Sequence, residues 1–268
     1  MKKGKMLGRG MTAEVYEWEE DKVLKLYYEK FSDNWINFEA KTGYAVHETG
    51  VPSPAVFDII SLEGRKGIVL QRIYGRTILK QLETEPWKLN YYTREMAGFH
   101  FRIHQLTSDK LPSQKEKFEA LLRHASDKLG RNGARVSNYF KKLPDGSSLC
   151  HGDLHFSNII DSSAGLVALD WKGAYRGNPL GDVARTCLMI CSPLIPMGNI
   201  PIANLPYMSA KWLTYLVYAS EYLRLAKVSL EDIAVWLPVV AAARLNDRIP
   251  GEEKWLLGII DKYLQYYG

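Results

Sequence analysis

The sequence predicts an α+β protein: a small, mostly antiparallel sheet with one helix over residues 1–74, then a mainly helical region over residues 75–268. Three observations lead there. Polar and apolar residues alternate over Glu14–Trp18, and Val23–Tyr27 is an apolar strand interrupted only by Lys25. Beyond Tyr74-Gly75 the apolar residues recur every three or four positions, the period of a helix with one buried face. Inside that helical stretch, Leu149–Ile160 and Gly165–Asp170 read as two short strands, a hairpin set among helices.

In chain order, residues 5–27 read as strand, turn, strand, strand, with Glu19-Glu20-Asp21 as a turn. From Asn34 to Thr49 the spacing becomes helical, with Trp35, Phe38, Tyr44 and Ala45 or Val46 on compatible faces. Gly50 closes that helix, and Pro52 and Pro54 stand where it cannot continue. Ala55–Ile60 and Lys66–Ile73 follow as strands around Glu63-Gly64. Leu89, Tyr92, Met96, Phe99 and Ile103 make a buried stripe along residues 86–106. Ser113–Leu129, Leu180–Ile190, Ser209–Ala226, Leu230–Leu245 and Glu252–Tyr267 are further helices. Pro193, Pro196, Pro201 and Pro206 make residues 192–206 an irregular surface loop.

Composition narrows the function. Of 268 residues, 46% are apolar and 24% charged, so the chain can bury a core and is neither disordered nor fibrous. The formal charge of +5 is spread along the sequence, a poor footprint for nucleic acid. The longest uncharged apolar run, Ile233–Ala243, is too short to span a bilayer and contains Pro238. The opening MKKGKMLGRGM lacks the apolar segment of a secretory signal. Cys150, Cys187 and Cys191 are odd in number with no paired spacing, as in a reducing cytoplasm.

The chemistry concentrates in His151-Gly152-Asp153-Leu154-His155-Phe156-Ser157-Asn158, followed by Leu169-Asp170-Trp171. Phosphoryl transfer needs one carboxylate to orient the attacking hydroxyl and take its proton. It also needs an amide oxygen and a second carboxylate to hold Mg²⁺ against the phosphates. Asp153 is the candidate catalytic base, and Asn158 and Asp170 the candidate metal ligands. Upstream, Leu7-Gly8-Arg9-Gly10-Met11-Thr12 reads either as a plain hairpin turn or as a loop covering phosphates, where Gly8, Gly10 and Thr12 would bring backbone close to them. Lys25 is the sole charge in an apolar strand, and Glu39 lies fourteen residues on in the expected helix. Glu29 is the rival partner but sits too near the strand end to turn back beneath it.

Together, HGDLHFSN and LDW resemble the catalytic and metal-binding motifs of the aminoglycoside phosphotransferase and choline kinase superfamily, in matching order along nearly the whole chain. The resemblance implies a bilobal protein-kinase-like fold and a small-molecule kinase. Its cofactors would be ATP (or GTP) and Mg²⁺, and its acceptor a hydroxylated small molecule such as an aminoglycoside, an amino alcohol or another metabolite. It assigns Lys25 and Glu39 to an ion pair at the phosphates, and the backbones of Gln71 and Ile73 to the adenine-binding linker. Gly152 and Trp171-Lys172 stand where protein kinases carry Arg and Phe-Gly, and Phe156 where members often have Pro. His155 either sits near the transferred phosphate or packs the loop. His151 braces the loop. Asp182 either ties the catalytic loop down, as in the family, or caps a helix.

Only eleven residues separate Asp170 from Asp182, too few for a peptide-docking segment, which favours a small acceptor. The loop at 192–206 and the C-terminal helices are its candidate walls. A polycationic acceptor would need acidic residues; Asp247, Glu252 and Glu253 cluster but are a modest set, and a solvated helix start is the better account of Glu252 and Glu253. Two other classes remain: a non-catalytic nucleotide-binding scaffold, and a metallohydrolase using His151, Asp153 and His155 on one strand face, with His100 and His104 as further ligands.

Overall fold

The computed structural model describes residues 3–193 and 207–268. Strands β1 (Met6–Arg9), β2 (Ala13–Glu17), β3 (Lys22–Tyr27), β4 (Val56–Leu62) and β5 (Arg65–Gln71) form one antiparallel sheet ordered β1-β2-β3-β5-β4. Helix α1 (Asp33–His47) lies between β3 and β4 in sequence and starts at Ser32, whose hydroxyl accepts from the Trp35 amide. The two-residue turn Glu63-Gly64 has φ of 53° and 73°, the backbone a tight hairpin requires.

The strand period decides where β3 points its side chains. Leu24 and Leu26 pack with Val69 on one face, while Tyr27 packs with Ile68 and with Ile36 and Ala40 of α1 on the other. Lys25 alternates with Leu24 and Leu26 and therefore shares the α1 face.

The remainder is mainly helical. Its helices are α2 (Ile78–Thr84), α3 (Leu89–Ile103), α4 (Gln114–His124), α5 (Ser126–Leu129), α6 (Asn132–Phe140), α7 (Pro179–Cys191), α8 (Tyr207–Ala226), α9 (Leu230–Ala234), α10 (Leu237–Arg244) and α11 (Glu253–Tyr267). They enclose one large apolar core to which Met96, Phe99, Val183, Tyr218 and Trp236 contribute. Short strands β6 (Arg76–Thr77), β7 (Ser148–Cys150), β8 (Ile159–Ser162), β9 (Gly165–Ala168) and β10 (Tyr175–Gly177) sit among them, ordered β6-β8-β9 and β10-β7. The α+β arrangement, an antiparallel sheet with one helix followed by a mainly helical region, is thus the one the sequence predicted.

Several local expectations need correction. Leu149–Ile160 is not one strand: β7 pairs with β10, and the hairpin is β8–β9. Residues 151–158 form a loop ending in a 3₁₀ turn at Phe156–Asn158. Gly152 turns the chain out of the strand with φ +78°, and a Cβ there would lie 2.2 Å from the Gly173 carbonyl oxygen. The expected helix Leu230–Leu245 breaks between α9 and α10, because Pro238 lacks an amide hydrogen and fits only a first turn. Helices α2 and α6 and strands β6 and β10 were not anticipated. The proline-rich loop falls at residues 194–206 outside the described residues. No described helix is long and apolar enough to cross a membrane, and the three cysteines are free thiols.

Candidate active site

The site forms where β3 and α1 meet the loop after β7 and the end of β9. Lys25 Nζ lies 2.6 Å from Glu39 Oε1 and 3.0 Å from Asp170 Oδ1. Glu39 reaches it because it shares the buried face of α1 with Ile36 and Ala40. Glu29, the rival partner, is exposed. Lys172 Nζ holds the second Asp170 oxygen at 2.9 Å. Burial alone pushes the Asp170 carboxyl up, but Lys25 and Lys172 outweigh it and hold the group well below the usual carboxylate range. Asp170 itself sits at φ +61°, the left-handed region that few residues other than Gly enter.

Two backbone-directed ties hold Asp153 and Asn158 beside Asp170. Asn158 Nδ2 donates to the Asp153 carbonyl at 2.9 Å, and the Leu169 amide donates to the Asn158 carbonyl at 2.8 Å. His151 Nε2 donates to the Leu169 carbonyl at 2.9 Å, while its Nδ1 accepts from the Asp153 amide at 3.2 Å. Both ring nitrogens are therefore spent inside the protein, and burial lowers the imidazole to about 4. His151 braces the loop in the neutral form.

Asp182 anchors the same loop from α7. Its oxygens accept from the His151 amide at 2.5 Å and the Gly152 amide at 2.8 Å. His100 and His104 Nε2 lie 3.0 and 3.4 Å from Oδ2, and their Nδ1 atoms accept from the hydroxyls of Tyr218 and Tyr222. The carboxylate is fully buried, and these donors keep it ionised against the cost of burial. Asp182 is not a helix cap; Asn178 caps α7 by accepting from the Leu180 amide. This arrangement also disposes of the metallohydrolase grouping. His100 and His104 converge with Asp182 rather than with Asp153 and His155, and His151 has no free nitrogen.

Sequence reading missed Arg185. Its Nη2 lies 3.2 Å from Asp153 Oδ1 and 2.9 Å from Asp247 Oδ2. It is the only basic residue in α7, a visible signal, although its partners are not. His155 Nε2 stands 3.8 Å from Asp153 Oδ2, and its Nδ1 accepts from the Ser157 amide. The ring both packs the loop and faces the carboxylate. Burial pushes the Asp153 carboxyl up; Arg185 and His155 more than reverse that, so it is ionised near neutrality.

The β1–β2 turn closes with the Gly10 amide on the Ala13 carbonyl at 2.9 Å, and the Tyr28 amide donates to the Thr12 carbonyl. Neither Gly8 nor Gly10 has a positive φ; a Cβ at Gly8 would meet nothing within 4 Å, and one at Gly10 only the Ala13 carbonyl oxygen at an ordinary 3.7 Å. Their bareness serves no fold requirement, leaving space outside the turn. Gln71 ends β5, its amide on the Ala55 carbonyl and its Oε1 accepting from the Ala55 amide. Ile73 follows in the connection to β6, half-buried.

Beside Asp153 opens a cleft of about 860 Å³, lined from both regions of the chain by residues including Thr12, Trp35, Phe156, Arg185 and Met189. The size suits a small organic molecule.

No curated protein matches the chain. Among solved structures it is similar to a thermostable mutant of aminoglycoside phosphotransferase APH(4)-Ia bound to ADP and hygromycin B, with 15% identity, TM-score 0.64, and coverage of 97% of this chain and 92% of that one. It is similar to APH(2″)-IIa with streptomycin and ATP, with 16% identity, TM-score 0.58, and coverage of 99% and 91%. It is also similar to APH(3″)-Id from Streptomyces rimosus, with 15% identity, TM-score 0.58, and coverage of 90% and 92%. At such identities the likeness is one of fold. A family model, that of the phosphotransferase enzyme family (APH), matches residues 4–198. The chain therefore belongs to the phosphotransferase enzyme family, as a small-molecule kinase.

Proposed function

We propose that the protein transfers the γ-phosphate of ATP, or GTP, to a hydroxyl of a small molecule, with Asp153 as catalytic base. The observation that carries this reading is Lys25, which reaches from the sheet to Glu39 and to Asp170 at 2.6 and 3.0 Å. An ammonium so placed meets the phosphates of a nucleotide lying under the β1–β2 turn, where Gly8, Gly10 and Thr12 leave room for them. Gln71 and Ile73 offer backbone groups to the base.

The donor set suits Mg²⁺. Asn158 commits its amide nitrogen to the Asp153 carbonyl, which leaves its oxygen as the outward ligand, and Asp170 is an ionised carboxylate. Both are hard oxygens. When bound, the ion neutralises phosphate charge. The chain's own residues do the rest. Asp153, ionised beside Arg185, accepts the proton of the acceptor hydroxyl as that oxygen attacks. Arg185, shared with Asp247, fixes the rotamer of that base. Asp182 and His151 keep the loop from moving while they do so.

Residues 1–74 supply the nucleotide side and residues 75–268 the catalytic loop and most of the acceptor cleft. Free thiols fit the reducing cytoplasm where nucleotide triphosphate is abundant. ADP release is to be measured against a panel of hydroxylated acceptors, with Asp153→Ala as control. Acceptor-dependent release by the native chain alone supports the reading; equal release by both rejects it.

A further inference from the structure

The charge of the cleft bears on the acceptor, and this deepens the phosphotransfer reading on which it rests. Among the described residues, the lining holds five basic side chains, Lys117, Lys172, Arg185, Lys211 and Arg244, against two carboxylates, Asp153 and Asp247. Both carboxylates are already engaged. Asp153 is held by Arg185, and Asp247 by Arg185 at 2.9 Å and Arg244 at 3.2 Å. Glu252, from the acidic cluster that the sequence offered to a polycation, is buried against Arg244 at 2.9 Å. Glu253 faces Lys128. Among the described residues, each lining carboxylate is therefore already paired with a cation, and cations outnumber carboxylates in the wall.

An anion finds a different setting. Lys117, on α4, turns its ammonium to the Gly173 carbonyl and over the Tyr175 ring, 4.8 Å from the centroid. Gly152, Gly173 and Tyr175 line the cleft with it. Among the described residues Lys117 has no carboxylate partner, unlike Lys25, Lys172, Arg185 and Arg244. Burial, then the neighbouring Arg185, pull it down to about 8. A half-buried ammonium with one carbonyl acceptor has hydrogen-bonding capacity to spare, and an anionic oxygen is its natural complement. The rest of the wall is largely apolar, including Phe118, Leu121, Phe156 and Ile249.

We infer that the acceptor is a hydroxylated molecule with an apolar body and an anionic group, a carboxylate or a phosphate, received by Lys117, and that it is not a polycation. The test uses the full chain and two inert probes of matched body and opposite charge, hydrocinnamate and phenylpropylammonium, with binding read by calorimetry at pH 7. The carboxylate should bind at least about tenfold more tightly, the scale of one charge-assisted hydrogen bond. Lys117→Gln should erase the preference and Lys117→Arg restore it. Equal binding, tighter binding of the ammonium probe, or no binding of either would overturn the inference. The same titration with a non-hydrolysable ATP analogue bound separates two sources of the anion. Persistence of the preference supports an acceptor site, whereas its loss assigns Lys117 to the transferred phosphate and overturns the inference. Because binding is read without turnover, failure of ADP release counts against the phosphotransfer reading alone.

Discussion

Lys25 permits a test in which stability and activity separate. Lys25→Met leaves the Glu39 carboxylate buried without its cation, a loss of about 3–5 kcal/mol for a buried pair broken on one side. Coulomb's law with an effective dielectric of about 20 gives roughly 6 kcal/mol at the 2.6 Å separation. Desolvation cancels several kcal/mol of that, so a net coupling of about 2–3 kcal/mol is expected. Lys25→Met with Glu39→Leu replaces both charges by apolar groups and should cost about 2–3 kcal/mol less than the two single changes summed. Urea unfolding of the native chain, both single variants and the double variant closes the cycle at pH 7, and ADP release is read on the same four proteins. Stability should return in the double variant while turnover stays lost, because the phosphates still lack their ammonium. Single costs that add to within about 0.5 kcal/mol would refute the ion pair. Turnover that returns with stability would refute the role of Lys25 at the phosphates.

Other expectations follow from the loop and its anchors. Asp182→Ala leaves the His151 and Gly152 amides and two imidazole N–H groups unpaired in the interior, and should cost about 3–5 kcal/mol in thermal or urea unfolding; a loss below about 1 kcal/mol would contradict the anchor. Gly152→Ala combines a left-handed backbone with a Cβ 2.2 Å from the Gly173 oxygen, so a loss of at least about 2 kcal/mol is expected, together with lost turnover. His104 and His151 are each held neutral at about 4, below the usual value near 6.5, by burial. The unfolded chain therefore takes up protons first as pH falls, and stability drops between about pH 6.5 and 4 by up to about 3 kcal/mol for each ring. Urea midpoints unchanged from pH 7 to 5 would contradict that burial.

Some of this was legible in sequence and some was not, for physical reasons. Lys25 and Glu39 could be paired beforehand because the family resemblance names a lysine in an apolar strand and a Glu on the helix that follows, and the structure brings them to 2.6 Å. Asp153, Asn158 and Asp170 could be grouped beforehand from their residue types and spacing, and the loop does tie them together, with Asn158 Nδ2 on the Asp153 carbonyl and the Leu169 amide on the Asn158 carbonyl. Local geometry was not. Residues 151–158 carry enough apolar character to pass for a strand, and only the Gly152 backbone and the distant Asp182 make them a loop. Asp182 near a helix start looks like a cap from its neighbours alone, whereas its partners come from α3 and the loop after β7. Arg185 was visible as the sole base of α7, but Asp153 and Asp247 are assembled around it only in three dimensions. Lys117 lies in the polar run Gln114–Lys117 and carries no mark in the sequence of its place under the loop.

The most direct measurement of the central claim is mass detection of the acceptor after incubation with ATP and Mg²⁺, with the native chain and with Asp153→Asn matched for nucleotide affinity by calorimetry. The native chain should yield the phosphorylated acceptor, and Asp153→Asn should slow its formation by about 10²–10⁴-fold with nucleotide binding retained. Equal product from both proteins would contradict Asp153 as the base and, with it, the site described around Lys25 and Asp170.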